Sequence, residues 1–581
     1  MIRLRPWLSL VLALTPAAGL TAPASTAWRD LDRDYVAFIR LQDPVRAGAR
    51  GDREALTRWP DNAPAALAAQ ADALKRFQAR LAAIADADLA EEDRLSRAVM
   101  ARQVDLALEG LALDELRMAF RTGEGFYTVP DGTAQVTRLA SEADARAWLA
   151  RMAAIPAYFG RETANLQRGA DTGFTQPALV VRRAIEAVGG AAAQPAADSP
   201  LLLPFATLPE TVPEATRRAL RAEALRIVED EVKPAQRRLA AFLRDRYLPR
   251  ARPATGAATL PDGAAYYAFL VRRETTTDLT PARIHQLGLS EVARIRAAMR
   301  AVMDEAGFSG DVRAFADQLR ADPASYAPTA EAYAEKAGEI AKRIDYLLPR
   351  YFGTLPRLTY GVRAKPAALE STSDGYLAGS PESGQAGVVV YSAAAAPREP
   401  LYNLPAWLMH EGVPGHHLQI ALAQENTGLP EYRRDDTVTA YVEGWALYAE
   451  RLGEEMGVYR TPRERFGRLS MEMWRACRLV MDTGLHAMGW TRDQAAACLK
   501  DNTAMTEAAI YGEVDRYIGW PGQALGYKIG ELRLVDMRRQ AEATLGDRFD
   551  LRAFHDMVLA GGAMPLDLLQ TRLDAWLAAR R

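Results

Sequence analysis

The sequence predicts a mainly α protein, on three observations. Runs rich in Ala, Leu, Arg and Glu carry apolar residues at helical spacing. Cap residues mark the ends of one such run clearly. Val/Ile alternation, the mark of strands, is rare, and Gly387-Val388-Val389-Val390-Tyr391 is the clearest instance.

Taken in order, residues 1–27 stand apart from the fold. Arg3 and Arg5 make a basic start, Trp7 to Leu14 an apolar run, and small residues follow. Ala22-Pro23-Ala24 and Ser25-Thr26-Ala27 each fit a small-x-small cleavage site, so the segment reads as a secretory signal peptide. The apolar run is short of the roughly 20 residues a membrane span needs. No Cys follows it, so a lipid anchor is not expected. The protein is therefore expected to be exported, periplasmic or secreted, with no stable membrane insertion after cleavage.

Amphipathic helices are expected over Glu91–Leu116 and Thr216–Arg246, with an Ala/Pro/Gly-rich loop at Gly189–Pro213 and a second break at Arg250–Gly263. Thr280-Pro281 offers an N-cap followed by proline at the first helical position, and the run ends at Glu305 before Gly307. Further helices are expected over Thr329–Leu348, Arg463–Met488 and Ile529–Ala543. A Gly/Ser-rich loop, Ser371 to Gly384, precedes the strand at 387–391. The chain divides at Arg250–Gly263 into an N-terminal helical region, 28–260, and a C-terminal region, 261–581, unless both enclose one site.

Composition narrows the function. The 581 residues make a core that needs no staples, so two cysteines do not define a disulfide scaffold. Cys477 and Cys498 either pair or remain buried thiols. With 72 Lys+Arg against 74 Asp+Glu, no broad phosphate-neutralising surface exists, and nucleic acid is not an expected partner. No P-loop, dinucleotide fingerprint, nucleophile-elbow serine or CxxC is present. Histidine is scarce: there are 6, and His410, His416 and His417 lie within one motif.

That motif is Met409-His410-Glu411-Gly412-Val413-Pro414-Gly415-His416-His417-Leu418-Gln419. Zinc takes imidazole and carboxylate ligands, and hydrolytic sites leave one position for water. The usual motif has His at i and i+4 with Glu after the first, but here i+4 is Pro414. On a straight helix i+6 lies about 240° around, and i+7 lies roughly 10.5 Å along the axis. Neither brings two imidazoles to one ion, so the helix must bulge or break at Pro414-Gly415. His416 then takes the place of i+4, with His417 as the alternative. Glu443, in the apolar helix Ala440–Glu450, is the expected third ligand, because a buried carboxylate needs a partner. Glu450 competes, but Arg451 and Glu454 beside it suggest a solvated turn.

The stretches HEGVPGHHLQ, YVEGWALYAE and YGEVDRYIGWPGQALGYKIGEL resemble the domain-of-unknown-function 885 family of bacterial proteins. That family is regarded as similar to helical zinc peptidases of the angiotensin-converting-enzyme and carboxypeptidase Taq type. The resemblance implies a large multi-helix, zincin-like fold with a deep cleft, and one zinc ion per chain. It names no substrate.

The remaining roles follow from the chemistry. Glu411 is the expected general base. The oxyanion helper should be a Tyr, His or Arg from another helix; the resemblance to helical peptidases, which place a tyrosine donor in this late region, implies Tyr527 or Tyr517. Asp482 and His486, at i and i+4, suit a hydrogen-bonded pair, either structural or beside the metal, with His486 a candidate to stand behind a ligand. Arg516 and Lys528 are candidates for a substrate carboxylate. The strand ending at Tyr391 offers an edge to which a peptide could add. His285 and His555 read as structural. The expected function is zinc-dependent hydrolysis of a peptide or small amide. The rivals are a non-catalytic metal or peptide binder, a metal-free structural protein, and an amidase or esterase acting on a non-peptide.

Overall fold

The structure, a computed structural model, describes residues 26–365, 374–381 and 384–581. The leader up to Ser25 lies outside the described residues, as do residues 366–373 and 382–383; the described part of the expected Ser371–Gly384 loop carries a short strand, Gly375–Leu377. Among the described residues the structure is 72% helix and 4% strand, so the fold is mainly α with small sheets.

Local chemistry accounts for several helix ends. Helix Pro281–Glu305 starts at Thr280, whose hydroxyl accepts from the Arg283 amide, and Gly307 follows its end at φ +69°. Helix Pro462–Ala487 starts with a capping box: Thr461 caps the Glu464 amide, and the Glu464 side chain returns to the Thr461 amide.

Two expectations are corrected. Thr216–Arg246 is not one α-helix but two, Glu214–Ile227 and Lys233–Phe242, separated by a π turn at Val228–Val232. Pro234 has no amide to donate, so the regular ladder cannot pass through it. Gly189–Pro213 is not an open linker. Helix Ala178–Ala193 runs into it, and the 3-10 turn Pro200–Thr207 buries Leu201 and Phe205.

A short hairpin pairs β1 (Phe120–Arg121) with β2 (Glu124–Gly125). The second sheet has β3 (Tyr360–Ala364), β4 (Gly375–Leu377) and β5 (Gly387–Tyr391) in the order β3-β5-β4. β5 is parallel to β3 and antiparallel to β4, with Val389 opposite Val362 on one side and Tyr376 on the other. The expected strand is therefore present, but it is central. Its backbone is already paired on both sides, so it offers no free edge.

Two large hydrophobic cores cross the 260/261 boundary. One joins Trp59, Trp148 and Val180 to Met299, Cys477 and Val514. The other joins Trp28 and Val104 to Val389, Met409, Trp445 and Leu569. Cys477 and Cys498 form a disulfide, Cα–Cα 5.7 Å, between helices Pro462–Ala487 and Arg492–Asn502. Among the described residues no helix is long and apolar enough to cross a membrane.

Candidate metal centre

The histidine motif breaks at its insert. Helix Leu404–Glu411 ends, and helix His416–Glu425 begins after Gly412-Val413-Pro414-Gly415. Gly415 is required there: a Cβ would stand 1.9 Å from the His410 carbonyl oxygen and 2.4 Å from that of Met409. The Trp445 indole donates to the Pro414 carbonyl at 2.8 Å and pins the turn to helix Thr439–Glu455.

The break brings His410, His416 and Glu443 together, with one donor atom from each lying within 4.8 Å of the others. Glu443 Oε2 is 3.4 Å from His410 Nε2 and 3.5 Å from His416 Nε2. These separations exceed the usual range for an N–H···O hydrogen bond, roughly 2.7–3.2 Å. They match the edge of a tetrahedron whose ligands sit at zinc distances, about 3.3–3.4 Å. Glu443 Oε2 is buried with no hydrogen-bond partner among the described residues. The donor set and its spacing thus fit a four-coordinate cation that leaves one position open.

Electrostatics agree. Burial opposes ionisation of both His410 and Glu443. The Glu443 and Glu450 carboxylates outweigh it at His410, lifting its pKa to about 9. The imidazoles of His410 and His416 outweigh it at Glu443, holding its carboxyl well below the usual range. Two carboxylates converge here on neutralisable imidazoles, so the site favours positive charge.

Glu450 departs from expectation. It is 2% exposed, not on a solvated turn, and its Oε1 lies 2.8 Å from His410 Nδ1. That contact holds a proton on Nδ1, so a cation that displaces the Nε2 proton would meet the Nε2 lone pair at the cluster. Its position was readable: Glu443 and Glu450 are seven residues apart, two turns along one helix face. His417 is turned away. Its Nε2 donates to the Leu358 carbonyl at 3.0 Å, and its Nδ1 accepts from the Tyr376 hydroxyl at 2.9 Å. Burial depresses its pKa to about 4. With both nitrogens engaged beside the sheet, it has none for the cluster.

The Glu443 helix is held by close backbone contact. A Cβ on Gly444 would stand 2.5 Å from Gly530 Cα, and one on Gly530 would stand 1.8 Å from the Ala440 carbonyl oxygen. Helices Thr439–Glu455 and Gln523–Leu545 therefore cross glycine on glycine, one turn beyond Tyr527.

The cluster opens into a cavity of about 810 Å³, lined by Glu411 and Tyr527 as well as the three converging residues. Glu411 is half-buried, and its Oε2 accepts from the Tyr376 amide at 2.9 Å. Tyr527 is 6% exposed and lies against the Glu443 charge.

Several expected site residues are placed elsewhere. Tyr517 is not among the cavity's lining residues: its hydroxyl donates to Glu513 at 2.5 Å and accepts from Arg478 and Trp474. His486 is a core residue. Its Nε2 donates to the Tyr517 carbonyl, its Nδ1 accepts from the Ala257 amide, and burial pushes its pKa down to about 3. Asp482 is not bonded to it and accepts instead from Tyr267 and the Gly522 amide. Lys528 is fully buried and paired with Glu472 at 2.7 Å, Glu291 at 3.1 Å and Glu531, so it is not free for a substrate. It ties together three helices around the site. Tyr391 is buried against Tyr333 and is also absent from the lining. Arg516 does line the cavity. His285 bonds Thr483, and His555 bonds Tyr448 and Tyr351, both within the core.

The family model described as "Bacterial protein of unknown function (DUF885)" matches residues 44–573. Among solved structures, a protein described as a putative lipoprotein from Colwellia psychrerythraea is 26% identical with a TM-score of 0.89. The match covers 95% of this chain and 99% of that one. A second, described as a putative lipoprotein of unknown function from Shewanella oneidensis, is 18% identical with a TM-score of 0.73. It covers 94% of this chain and 99% of that one, a likeness of fold alone. No curated protein matches the chain.

Proposed function

Because this chain belongs to the DUF885 family, whose description assigns no activity, we propose its function from the site: it is an exported, zinc-dependent hydrolase of peptide or amide bonds. One observation carries the reading. Two imidazoles converge on a buried carboxylate, each at tetrahedral-edge distance from it, beside a cavity that also holds Glu411, whose side chain is bound by a backbone amide, and a tyrosine.

In this reading His410 Nε2, His416 Nε2 and Glu443 hold the ion. A divalent ion bound there supplies a Lewis acid that acidifies water and polarises a carbonyl. Glu411 accepts the water proton on a carboxylate oxygen and returns it to the leaving amine. The Tyr376 amide donates to Glu411 Oε2 at 2.9 Å and keeps that carboxylate oriented. The Tyr527 hydroxyl donates to the oxygen that gains charge during attack. Glu450 holds His410 in the ligating tautomer. The zincin-like character of the fold and its cleft belong to the same proposal.

Export is supported by the leader and by the disulfide, which suits an oxidising compartment. The lipoprotein descriptions of the two similar structures point the same way.

The test is elemental analysis of protein purified without added metal, followed by turnover of a peptide library. One zinc per chain, chelator-sensitive cleavage, and a Glu411→Gln variant that keeps zinc and loses cleavage are expected. Zinc without turnover would leave the non-catalytic binder. Absence of stoichiometric metal would refute the centre.

A further inference from the structure

Tyr527 is held from behind by a buried cation. Its helix meets the Glu443 helix on either side of it. A Cβ on Gly526 would stand 2.7 Å from Thr439 Cγ2, and one on Gly530 would stand 1.8 Å from the Ala440 carbonyl oxygen. These contacts fix the Tyr527 backbone against the helix that carries Glu443, but they do not fix its ring. The Gln523 amide reaches the hydroxyl only at 3.5 Å, and as a donor, so the phenolic proton is left for another acceptor.

Arg478 supplies the ring contact. It projects from helix Pro462–Ala487, is 2% exposed, and lies with its guanidinium carbon 4.2 Å from the centre of the Tyr527 ring. Trp474, one turn earlier on the same helix, backs the guanidinium at 4.5 Å. Arg478 Nε donates to the Tyr517 hydroxyl at 2.8 Å, and its Nη2 reaches Glu513 at 3.3 Å. The Tyr517 hydroxyl also accepts from the Trp474 indole at 2.9 Å and donates to Glu513 at 2.5 Å. Tyr517, outside the cavity lining, thus anchors the cation that touches the tyrosine inside it.

The charge of Arg478 is only partly answered. Its Nη1 is buried with no hydrogen-bond partner among the described residues, and its carboxylate partner Glu513 also faces Arg516 at 3.8 Å. A guanidinium over a phenol is attracted by the negative face of the ring, most strongly where water is excluded. It also stabilises the negative charge that gathers on the phenol as the O–H donates, so the hydroxyl becomes a stronger donor. Arg516 is turned instead toward Trp520, 5.9 Å from that ring.

We propose that Arg478 is a positioning residue for catalysis: it locks the Tyr527 ring and strengthens its hydroxyl as a donor to the oxygen that gains charge. The inference rests on the hydrolase reading above. It adds a residue that acts through Tyr527 and not through the metal ligands.

A double-mutant cycle tests it. The full mature chain, loaded with zinc, is assayed on a peptide that the wild type cleaves, as Arg478→Met, Arg478→Lys, Tyr527→Phe and the Arg478→Met/Tyr527→Phe double variant. Tyr527→Phe is expected to lower kcat about 100-fold, the usual effect of losing one oxyanion donor. Arg478→Met should lower kcat at least about tenfold with KM within about twofold, the split expected of an interaction made in the transition state. Arg478→Lys should recover part of the loss, because it restores the charge over the ring. In the Tyr527→Phe background Arg478→Met should cost less than about threefold more, and zinc content should stay at one per chain throughout. Equal losses from Arg478→Met in both backgrounds would overturn the proposal, since they would mark a general structural role. Should Arg478→Met fail to fold by circular dichroism, Tyr517→Phe takes its place in the cycle. It removes the anchoring hydroxyl and keeps the charge, and its loss of kcat must likewise vanish in Tyr527→Phe. A wild type that cleaves no peptide would sink the hydrolase reading and this assignment with it. Cleavage by the wild type with additive losses would sink the Arg478 assignment alone.

Discussion

Gly530→Ala probes the contact that sets Glu443. The new Cβ would stand 1.8 Å from the Ala440 carbonyl oxygen and 2.7 Å from Gly444 Cα. Ordinary contact begins near about 3.5 Å, so the two helices must part by more than an ångström. Both partners are backbone, and no side chain can rotate away. The cost falls at the upper end of overpacking, about 3 kcal/mol, and the better helix propensity of Ala offsets about 1 kcal/mol, leaving about 2 kcal/mol. At roughly 2.1 cal/mol/K per residue the unfolding entropy of this chain is about 1.2 kcal/mol/K, so Tm falls by only about 2 °C. The proposed metal centre is the more sensitive reporter. Gly444 adjoins Glu443, and a catalytic constellation tolerates about 0.5 Å of displacement. Zinc affinity, measured by competition with a chromophoric chelator, is expected to fall at least tenfold. Gly338→Ala is the control: it lies on an exposed helix face with nothing within 4 Å of the added Cβ. It should stabilise by about 0.4–1 kcal/mol and leave zinc affinity unchanged. Wild-type zinc affinity and Tm in Gly530→Ala would refute the claim that this crossing positions Glu443.

Three further outcomes are expected. Glu450→Gln keeps the shape of the His410 partner but removes its charge, and zinc affinity should fall about 10–100-fold by the same competition assay. Asp482 is buried, and burial lifts its carboxyl to about 7 despite the Tyr267 and Gly522 hydrogen bonds. The folded state then holds a proton that the unfolded state releases near about 4, so stability falls as pH rises from about 4 to about 7 and levels off above. Asp482→Asn should flatten that slope in urea titrations at pH 5 and pH 8, and an unchanged slope would clear Asp482 of the effect. Cys498→Ser opens a disulfide whose cysteines are 21 residues apart, removing about 3 kcal/mol of loop-closure entropy and lowering Tm by about 3 °C in calorimetry.

Periodicity and capping placed most of the helices, because a helix is a local structure. Thr280-Pro281 starts one, and Gly307 follows its end. The break within the His410–Gln419 motif was legible in the same way. Standard helix geometry required a bulge or a break at Pro414-Gly415 to reunite His410 with a second imidazole, and the chain breaks there. Other residues were misread because their roles depend on distant neighbours. Lys528 looked like a rare cation available to a substrate, yet three glutamates from separate helices enclose it. Asp482 and His486 have the spacing of a bonded pair, yet each finds a better partner on another element. The 387–391 strand was legible, but an edge strand and a central strand have the same sequence pattern.

By itself the sequence determined a mainly α chain with one histidine-rich motif, because helix spacing, caps and the crowding of half its histidines are properties of neighbouring residues. Tertiary structure alone decided which imidazole faces Glu443, that Glu450 stands behind His410, that Tyr527 lines the cavity and Tyr517 does not, and that Arg478 carries an unanswered donor. Those facts depend on side chains from helices far apart in sequence meeting at ångström range. Hydrogen bonds and charge pairs fall away over such short distances that no one-dimensional pattern records them.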